Sequence, residues 1–252
     1  RRLLDGINQL RASNVQDLVL DLRYNGGGFL VIASELAYMI AGPARTAGRT
    51  FERTSFNSKH PTRNPVTGDP LTPLRFVDES TGVSVPSGQD LPTLNLARVF
   101  VLTTDATCSA SESIINGLRG VGVEVIQVGG DTCGKPFGFY PEDNCGTTYF
   151  SIQFQGVNDI GFGDYAAGFS PVIRAGQPAG ATLPGCAAAD DYGHDLGDPE
   201  ERLLKVAMDY RANNRSCALA SSSDLPGSPR VQPSSAADGA EGPELRLPEE
   251  PW

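Results

Sequence analysis

The chain has 252 residues, of which 39% are hydrophobic and 20% charged, so it carries enough apolar side chains to bury one sizeable core. Its formal net charge of -10 argues against nucleic acid or an anionic membrane as the main partner, because both bind basic patches. No apolar run approaches the roughly 20 residues that span a bilayer. The five cysteines form no CxxC pair, so a zinc ribbon is not expected, and neither a metal nor a cofactor is predicted.

The first segments alternate between helix-like and strand-like patterns. Residues 1–13 place apolar side chains on one helical face, and residues 17–22 form a short apolar run that predicts a buried strand. This strand leaves the sheet through a glycine turn at residues 26–28. Residues 29–41 are apolar on nearly all sides, which predicts a helix packed inside the fold.

Residues 42–94 have a different composition, in which Pro, Thr, Asn and Gly dominate. A stretch of this length with little regular structure of its own usually carries function. We therefore predict a peripheral β-rich insert, which either covers the substrate site or forms a partly ordered hairpin.

Regular structure returns after the insert. The sequence predicts a strand over 97–102, a helix over 109–118 and a strand over 121–128, which together form a βαβ unit. An alternating strand over 147–154 and an amphipathic helix over 199–211 follow. The predicted fold class is therefore α/β, with parallel βαβ units and right-handed crossovers.

The composition changes again after residue 217, where Ser, Pro, Ala, Gly and Glu dominate. Residues 218–252 have too few apolar side chains to offset the entropy cost of ordering them. We expect one domain over residues 1–217 and a disordered, low-complexity tail over 218–252.

The segment Cys108-Ser109-Ala110-Ser111-Glu112 joins a predicted strand to a predicted helix. A serine at the first turn of a helix lies in the field of unpaired N–H groups, which suits a nucleophile whose product is an oxyanion. The spacing of Ser109 and Glu112 is also that of a capping box, in which both residues only satisfy the helix terminus. Taken alone, the pattern favours the capping interpretation.

A serine nucleophile needs a base, and the chain has two histidines. His60 and His194 lie in polar segments and are expected at the surface rather than in a rigid catalytic triad. Lys135 follows a strand and a glycine-containing turn, and the next residues, 136–140, are apolar or aromatic. We predict that Lys135 lies in a poorly solvated pocket, because desolvation leaves a neutral amine that can accept a proton. The competing interpretation, which the local pattern alone favours, is a lysine exposed at a loop.

The segment from Gly129 to Lys135 also matches most of a phosphate-binding P-loop. Pro136 replaces the Ser or Thr that would hold magnesium, and Asp131 would put a carboxylate inside the phosphate cradle. We therefore reject a nucleotide-binding function.

Joined in order, these segments resemble family S41 of the serine proteases, the C-terminal (tail-specific) processing peptidases. The resemblance rests on DLVLDLRYNGGG at 17–28, on SASE at 109–112 and on Gly-Lys at 134–135, and it covers roughly residues 15–171. It implies the crotonase/ClpP-like α/β spiral of β-β-α units.

The resemblance also implies a site. Ser109 would be the nucleophile and Lys135 the general base of a Ser/Lys dyad. The backbone N–H groups of Ala110 and Gly27 would form the oxyanion hole. Two further polar positions of the family, which support the site, are matched by Glu112 and Thr132.

The implied function is a serine endopeptidase that processes or degrades unstructured or C-terminal protein segments in the cell envelope, so its partners are protein or peptide substrates. The chain departs from the family pattern in three ways. The segment between Ser109 and Lys135 is one residue longer, and Phe139 replaces the Gln that often orients the lysine, so another group, such as Thr132, would have to do so. A PDZ-like domain is also missing, and we therefore expect a catalytic portion without its specificity module.

These departures keep two other functions open. The first alternative is a non-catalytic module that binds peptides or a hydrophobic ligand on the same scaffold. An acyl-CoA enzyme is a weaker alternative, because the sequence shows no basic cluster that would bind the nucleotide part of the ligand.

The cysteines bear on localisation. Cys133 and Cys145 bracket a short loop that a disulfide would close, and a second bridge between Cys186 and Cys217 would tether the last helix, leaving Cys108 as the odd thiol. The alternative is five free thiols in a reducing compartment. Disulfides favour an exported protein of the bacterial periplasm or cell envelope. Because the chain does not begin with Met, we expect a fragment or a processed form whose export signal has been removed.

Overall fold

The computed structural model describes residues 2–83, 85–173, 176–213 and 217, so the tail predicted over 218–252 lies outside the described residues. The helices are Arg2–Ala12 (α1), Leu30–Ala41 (α2), Pro43–Thr46 (α3), Ala110–Gly120 (α4) and Arg202–Ala212 (α5). The strands are Val19–Asp21 (β1), Thr50–Ser55 (β2), Leu74–Arg75 (β3), Arg98–Thr103 (β4), Glu124–Gly129 (β5), Phe137–Gly138 (β6), Glu142–Asn144 (β7), Thr147–Tyr149 (β8), Phe154–Val157 (β9) and Gly185–Ala187 (β10).

A four-stranded parallel sheet forms the centre of the fold, with the strand order β1-β4-β5-β10. Strands β4 and β5 are neighbours and are connected through α4. The predicted βαβ unit and the α/β class with a parallel sheet are therefore confirmed. Strand β10 was not predicted, because three residues at the edge of a sheet leave almost no pattern in the sequence.

The central strands are buried on both faces, which explains why they appear as continuous apolar runs. Val99, Val101 and Val125 pack with α2 and α4 on one face. Phe100 and Ile126 pack with α5 on the other face. The alternation along each strand therefore divides the core into two layers around one sheet. No helix in the described part of the chain is long and apolar enough to cross a membrane.

A second, antiparallel sheet lies beside α4 and has the order β3-β2-β9-β6. The predicted insert at 42–94 supplies β2 and β3, so it is built into the fold through pairing with β9. The strand predicted over 147–154 is wrong as a single element. Its first residues form β8 in an exposed two-stranded hairpin with β7, and its end joins β9.

A buried arginine connects the end of β1 to α5. The Arg23 side chain is 1% exposed, and its guanidinium contacts Asp21 at 2.7 Å, Glu201 at 2.9 Å and Asp190 at 3.1 Å. Glu201 is fully buried and also caps α5 by accepting the N–H groups of the first turn. This network fixes the chain at Arg23, three residues before the first glycine of the turn that leads into the candidate site.

We expect Arg23→Ala to lower the free energy of unfolding by about 3–5 kcal/mol, because the substitution leaves the fully buried Glu201 and the largely buried Asp190 without their cation. The matched control is Arg49→Ala. Arg49 is half-exposed in its ion pair with Asp159, so its loss should cost less than about 1 kcal/mol. Urea unfolding of both variants measures the difference, and equal losses would contradict a structural role for the buried network.

Candidate active site

Three loops meet at the carboxyl edge of the parallel sheet, after β1, β4 and β5. The Thr107 hydroxyl donates to the Leu22 carbonyl at 2.8 Å, and the Cys108 N–H donates to the Asn25 carbonyl at 3.1 Å. The Cys133 N–H donates to the Thr107 carbonyl at 3.0 Å. Because ligand sites of open α/β sheets lie at this edge, the three loops define the candidate site.

Ser109 precedes α4 in an unusual backbone conformation, with φ 58° and ψ -119°. An ordinary capping serine has extended dihedrals, and a positive φ is costly for a residue with a side chain. Gly27 packs directly against this turn, since a Cβ atom on Gly27 would lie 2.7 Å from the Ser109 Cβ and 3.0 Å from the Ala110 nitrogen. The surrounding loops therefore hold Ser109 in a strained turn that capping alone does not require.

Glu112 is fully buried, and its carboxylate accepts hydrogen bonds from the loop that contains Ser109 and from the loop that contains Lys135. It accepts the N–H of Ser109 at 3.0 Å, which is its part of the capping box. It also accepts the N–H groups of Gly134 and Lys135, each at 2.8 Å, and the Thr132 hydroxyl at 2.6 Å. The same carboxylate therefore caps the helix and ties the backbone of Lys135 to that of Ser109.

Ser109 and Lys135 line one cavity of about 130 Å³. The N-terminal part of α4 and the second sheet supply most of its walls. Its other lining residues are Gly28, Leu30, Glu52, Ala110, Ser113, Pro136, Phe137, Phe154, Gly156 and Tyr165.

The predicted burial of Lys135 is wrong, because the side chain is exposed. The apolar residues after it enter β6 and pack in the second sheet instead of enclosing the ammonium group. The Lys135 Nζ lies 5.6 Å from the centroid of the Phe139 ring, in a cation–π contact. Phe139, which stands where the family resemblance led us to expect Gln, thus contacts the lysine. The Thr132 hydroxyl donates to Glu112 and is not directed to the lysine.

The two predicted oxyanion donors are neighbours, as the close approach of Gly27 to the Ala110 nitrogen shows. In this structure the Gly27 N–H donates to the Asn25 side-chain oxygen at 3.0 Å. The same oxygen accepts the Ser111 hydroxyl at 3.1 Å. The Gly27 donor is therefore engaged by Asn25, and its role in an oxyanion hole stays a prediction.

Sequence reasoning missed Glu52, which reaches the cavity from β2. Its carboxylate accepts the Ser113 hydroxyl at 2.7 Å, and burial raises its pKa. The insert gave no local sign that this residue approaches the site. A weak sign was Ser113 itself, which follows Ser109 by four residues and so lies on the same face of α4.

Both histidines lie outside the cavity, as predicted. The exposed His194 ring contacts Asp191 at 2.8 Å, and this carboxylate raises the His194 pKa. The rejection of a P-loop also agrees with the structure. The N–H groups of Gly134 and Lys135, which would face a phosphate, donate to Glu112 instead.

The disulfides differ in part from the prediction. Cys108 pairs with Cys133, with a Cα–Cα distance of 5.2 Å, and Cys145 is an exposed free thiol. The predicted Cys133–Cys145 bridge is wrong because residues 108 and 133 lie on adjacent loops, whereas Cys145 lies in the turn between β7 and β8. The predicted bridge between Cys186 and Cys217 agrees with the structure.

The family model of peptidase family S41 matches residues 1–138, which is more than half of the chain. The chain therefore belongs to this family. A solved structure assigned as an S41 protease of Bacteroides fragilis NCTC 9343 is 25% identical, with a TM-score of 0.64, and the match covers 84% of this chain and 49% of that one. The photosystem II D1 C-terminal processing protease is 20% identical, with a TM-score of 0.47 and coverage of 68% and 37%.

The chain thus spans about half the length of the Bacteroides fragilis protein. A search of curated proteins finds no match.

Alkylation without reductant should modify a single cysteine, Cys145, because the other four are bridged. Intact mass gives the number of modified thiols, and peptide mapping gives their positions. The peptides that contain Cys108 and Cys133 should be recovered as one crosslinked species. Recovery of an alkylated Cys108 together with a Cys133–Cys145 crosslink would contradict the observed pairing.

Glu112→Gln should lower the free energy of unfolding by about 2–3 kcal/mol, because an amide group replaces one acceptor oxygen and faces buried donors. The control is Glu200→Gln, an exposed carboxylate paired with Lys205, which should change stability by less than about 0.5 kcal/mol. Urea unfolding measures both. A Glu112→Gln variant as stable as the control would show that the four hydrogen bonds do not stabilise the site.

Proposed function

We propose that this chain is the catalytic part of a serine endopeptidase, with Ser109 as nucleophile and Lys135 as general base. One observation carries the proposal: both residues line a single cavity, and the Glu112 carboxylate binds the backbone N–H groups of both. Membership of peptidase family S41 supports the same reaction class.

In the proposed reaction the Ser109 Oγ attacks the carbonyl carbon of a peptide bond while the Lys135 amine takes its proton. The C–N bond then breaks, and Lys135 returns the proton to the leaving amine. A water molecule, activated by the same amine, hydrolyses the acyl-serine and restores the free hydroxyl. The strained turn at Ser109 keeps the hydroxyl at the cavity, where a substrate carbonyl can approach it.

This mechanism needs the amine form of Lys135, whereas the side chain is exposed in the free protein. We propose that a bound substrate covers the mouth of the cavity and removes water from the lysine. Desolvation then favours the neutral form at the moment when a base is required. The Phe139 ring, already in contact with Nζ, supplies an apolar surface on one side.

The oxyanion would be stabilised by the Ala110 N–H at the start of α4 and by the Gly27 N–H. For Gly27 to take part, the Asn25 side chain must release its N–H when substrate binds. One such donor typically contributes about 3 kcal/mol to transition-state stabilisation. Thr132 and Glu112 would support the site without touching the substrate.

The family membership also supports proposals for the domain bounds, the fold, the substrates and the location of the protein. We propose one protease domain over residues 1–217, built as a crotonase/ClpP-like spiral, with residues 218–252 as an appended tail. Its substrates would be unstructured or C-terminal protein segments. The two disulfides are consistent with an exported protein, and we propose the bacterial periplasm or cell envelope as its location.

One observation favours a non-catalytic peptide-binding module as the second candidate. Lys135 is exposed and makes a cation–π contact with Phe139, which suits a charged ammonium group rather than a neutral base. A fluorophosphonate probe separates the two candidates. An activated serine attacks its phosphorus, releases fluoride and becomes phosphonylated, whereas a binding module stays unmodified.

Ser109→Ala and Lys135→Met should each lower the rate of cleavage of an unfolded protein substrate by about 1,000-fold or more, because each removes one partner of the proposed dyad. The matched control is Lys59→Met, an exposed lysine of the insert, which should cleave at the wild-type rate. Cleavage is followed by gel electrophoresis and mass spectrometry. Near wild-type activity in either dyad variant would exclude this mechanism, provided that circular dichroism shows both variants folded.

A further inference from the structure

Glu52 lies inside the candidate cavity although it belongs to the insert. Strand β2 brings it there through its pairing with β9. Gly156 on β9 makes room for its side chain, since a Cβ atom at residue 156 would lie 2.5 Å from the Glu52 Cδ. The Ser113 hydroxyl then fixes the carboxylate by donating to Oε2 at 2.7 Å. The carboxylate therefore has a defined position in the cavity wall.

Among the described residues, Glu52 has no ion-pair partner. Lys135 lines the same cavity, but its Nζ is placed beside the Phe139 ring and forms no ion pair with Glu52. Leu30, Phe137 and Phe154 supply apolar side chains to the wall of the same cavity. Burial in these surroundings disfavours the charged form of Glu52 and raises its pKa. A cation that enters the cavity would relieve this unfavourable burial.

The distance from the Ser109 hydroxyl to the Glu52 carboxylate suits one long side chain of a substrate. The Ser113 N–H donates to the Ser109 carbonyl at 3.0 Å, so Ser113 and the carboxylate that it binds lie about one helical turn, roughly 5 Å, beyond the nucleophile. A substrate residue whose carbonyl is held at Ser109 would need a side chain of about this reach to meet the Glu52 carboxylate. Lysine and arginine have such side chains, with an apolar stem and a charged end. The cavity of about 130 Å³ has room for one of them.

We infer that Glu52 makes this cavity selective for lysine or arginine on the amino side of the cleaved bond, an inference that rests on the proposed peptidase function. The side chains of Leu30, Phe137 and Phe154 would contact the stem, and the Glu52 carboxylate would pair with the charged end. The net charge of -10 also favours the approach of cationic segments over acidic ones. Glu52 is thus a specificity residue that touches the substrate without taking part in proton transfer.

The test uses quenched fluorescent peptides that are identical except for one residue before the cleaved bond, which is Lys, Met or Glu. The wild-type kcat/KM should be at least tenfold higher for Lys than for Met, and lowest for Glu. Glu52→Gln keeps the shape of the side chain and removes its charge. It should lower kcat/KM for the Lys peptide at least tenfold and change the Met peptide less than threefold. The control, Glu142→Gln at an exposed position of β7, should leave all three unchanged.

The outcomes distinguish this inference from the function on which it rests. If the wild type cleaves the Met and Lys peptides with the same kcat/KM, the role of Glu52 is overturned and the proposed peptidase function is not. Equal losses of kcat/KM for the Lys and Met peptides in Glu52→Gln also overturn that role, because they indicate an effect on Lys135 or on folding. Failure of the wild type to cleave any peptide, with Ser109 unlabelled by a fluorophosphonate, overturns the proposed function and this inference together.

Discussion

The site depends on one buried carboxylate. Glu112 accepts hydrogen bonds from the backbone of Ser109 and Lys135, and from Thr132 and Gly134 in the loop that carries Lys135. Burying a carboxylate is costly unless donors surround it, and here the donors belong to the segments that must be held together. Its place in the first turn of α4 adds the favourable field of the helix. The capping and catalytic interpretations of SASE are therefore compatible, because the capping glutamate also positions the lysine loop.

A second link joins the same two loops covalently. The Cys108–Cys133 bridge connects the residue before Ser109 to the loop that carries Lys135. The surrounding loops hold the strained turn at Ser109 in place, since Gly27 packs against it and leaves no space for the turn to relax towards the β1 loop. The backbone of the two loops is therefore fixed, whereas the Lys135 side chain is exposed. The backbone is preorganised, and in the proposed mechanism a bound substrate would complete the surroundings of the lysine.

The sequence predicted the parts of the site that depend on neighbouring strands. The loops after β4 and β5 meet because adjacent parallel strands end at the same edge, whereas the pairing of Ser109 with Lys135 was implied by the family resemblance. Glu52 was not foreseen, because its position depends on the pairing of β2 with β9, about a hundred residues later in the chain. The exposure of Lys135 was missed for a related reason: the apolar residues after it are recruited by the second sheet. Pairing between antiparallel strands that are far apart in the chain leaves little local pattern in the sequence. The missed or wrong predictions therefore concern residues at the second sheet.

The central claim is that Glu112 holds a reactive serine beside its base, and the rate of phosphonylation of Ser109 by a fluorophosphonate tests it most directly. The rate constant should be measured for the wild type and for Glu112→Gln, at a temperature where circular dichroism shows both to be folded. We predict phosphonylation of Ser109 in the wild type and a rate at least tenfold slower in the variant. A folded variant that reacts at the wild-type rate would contradict the account.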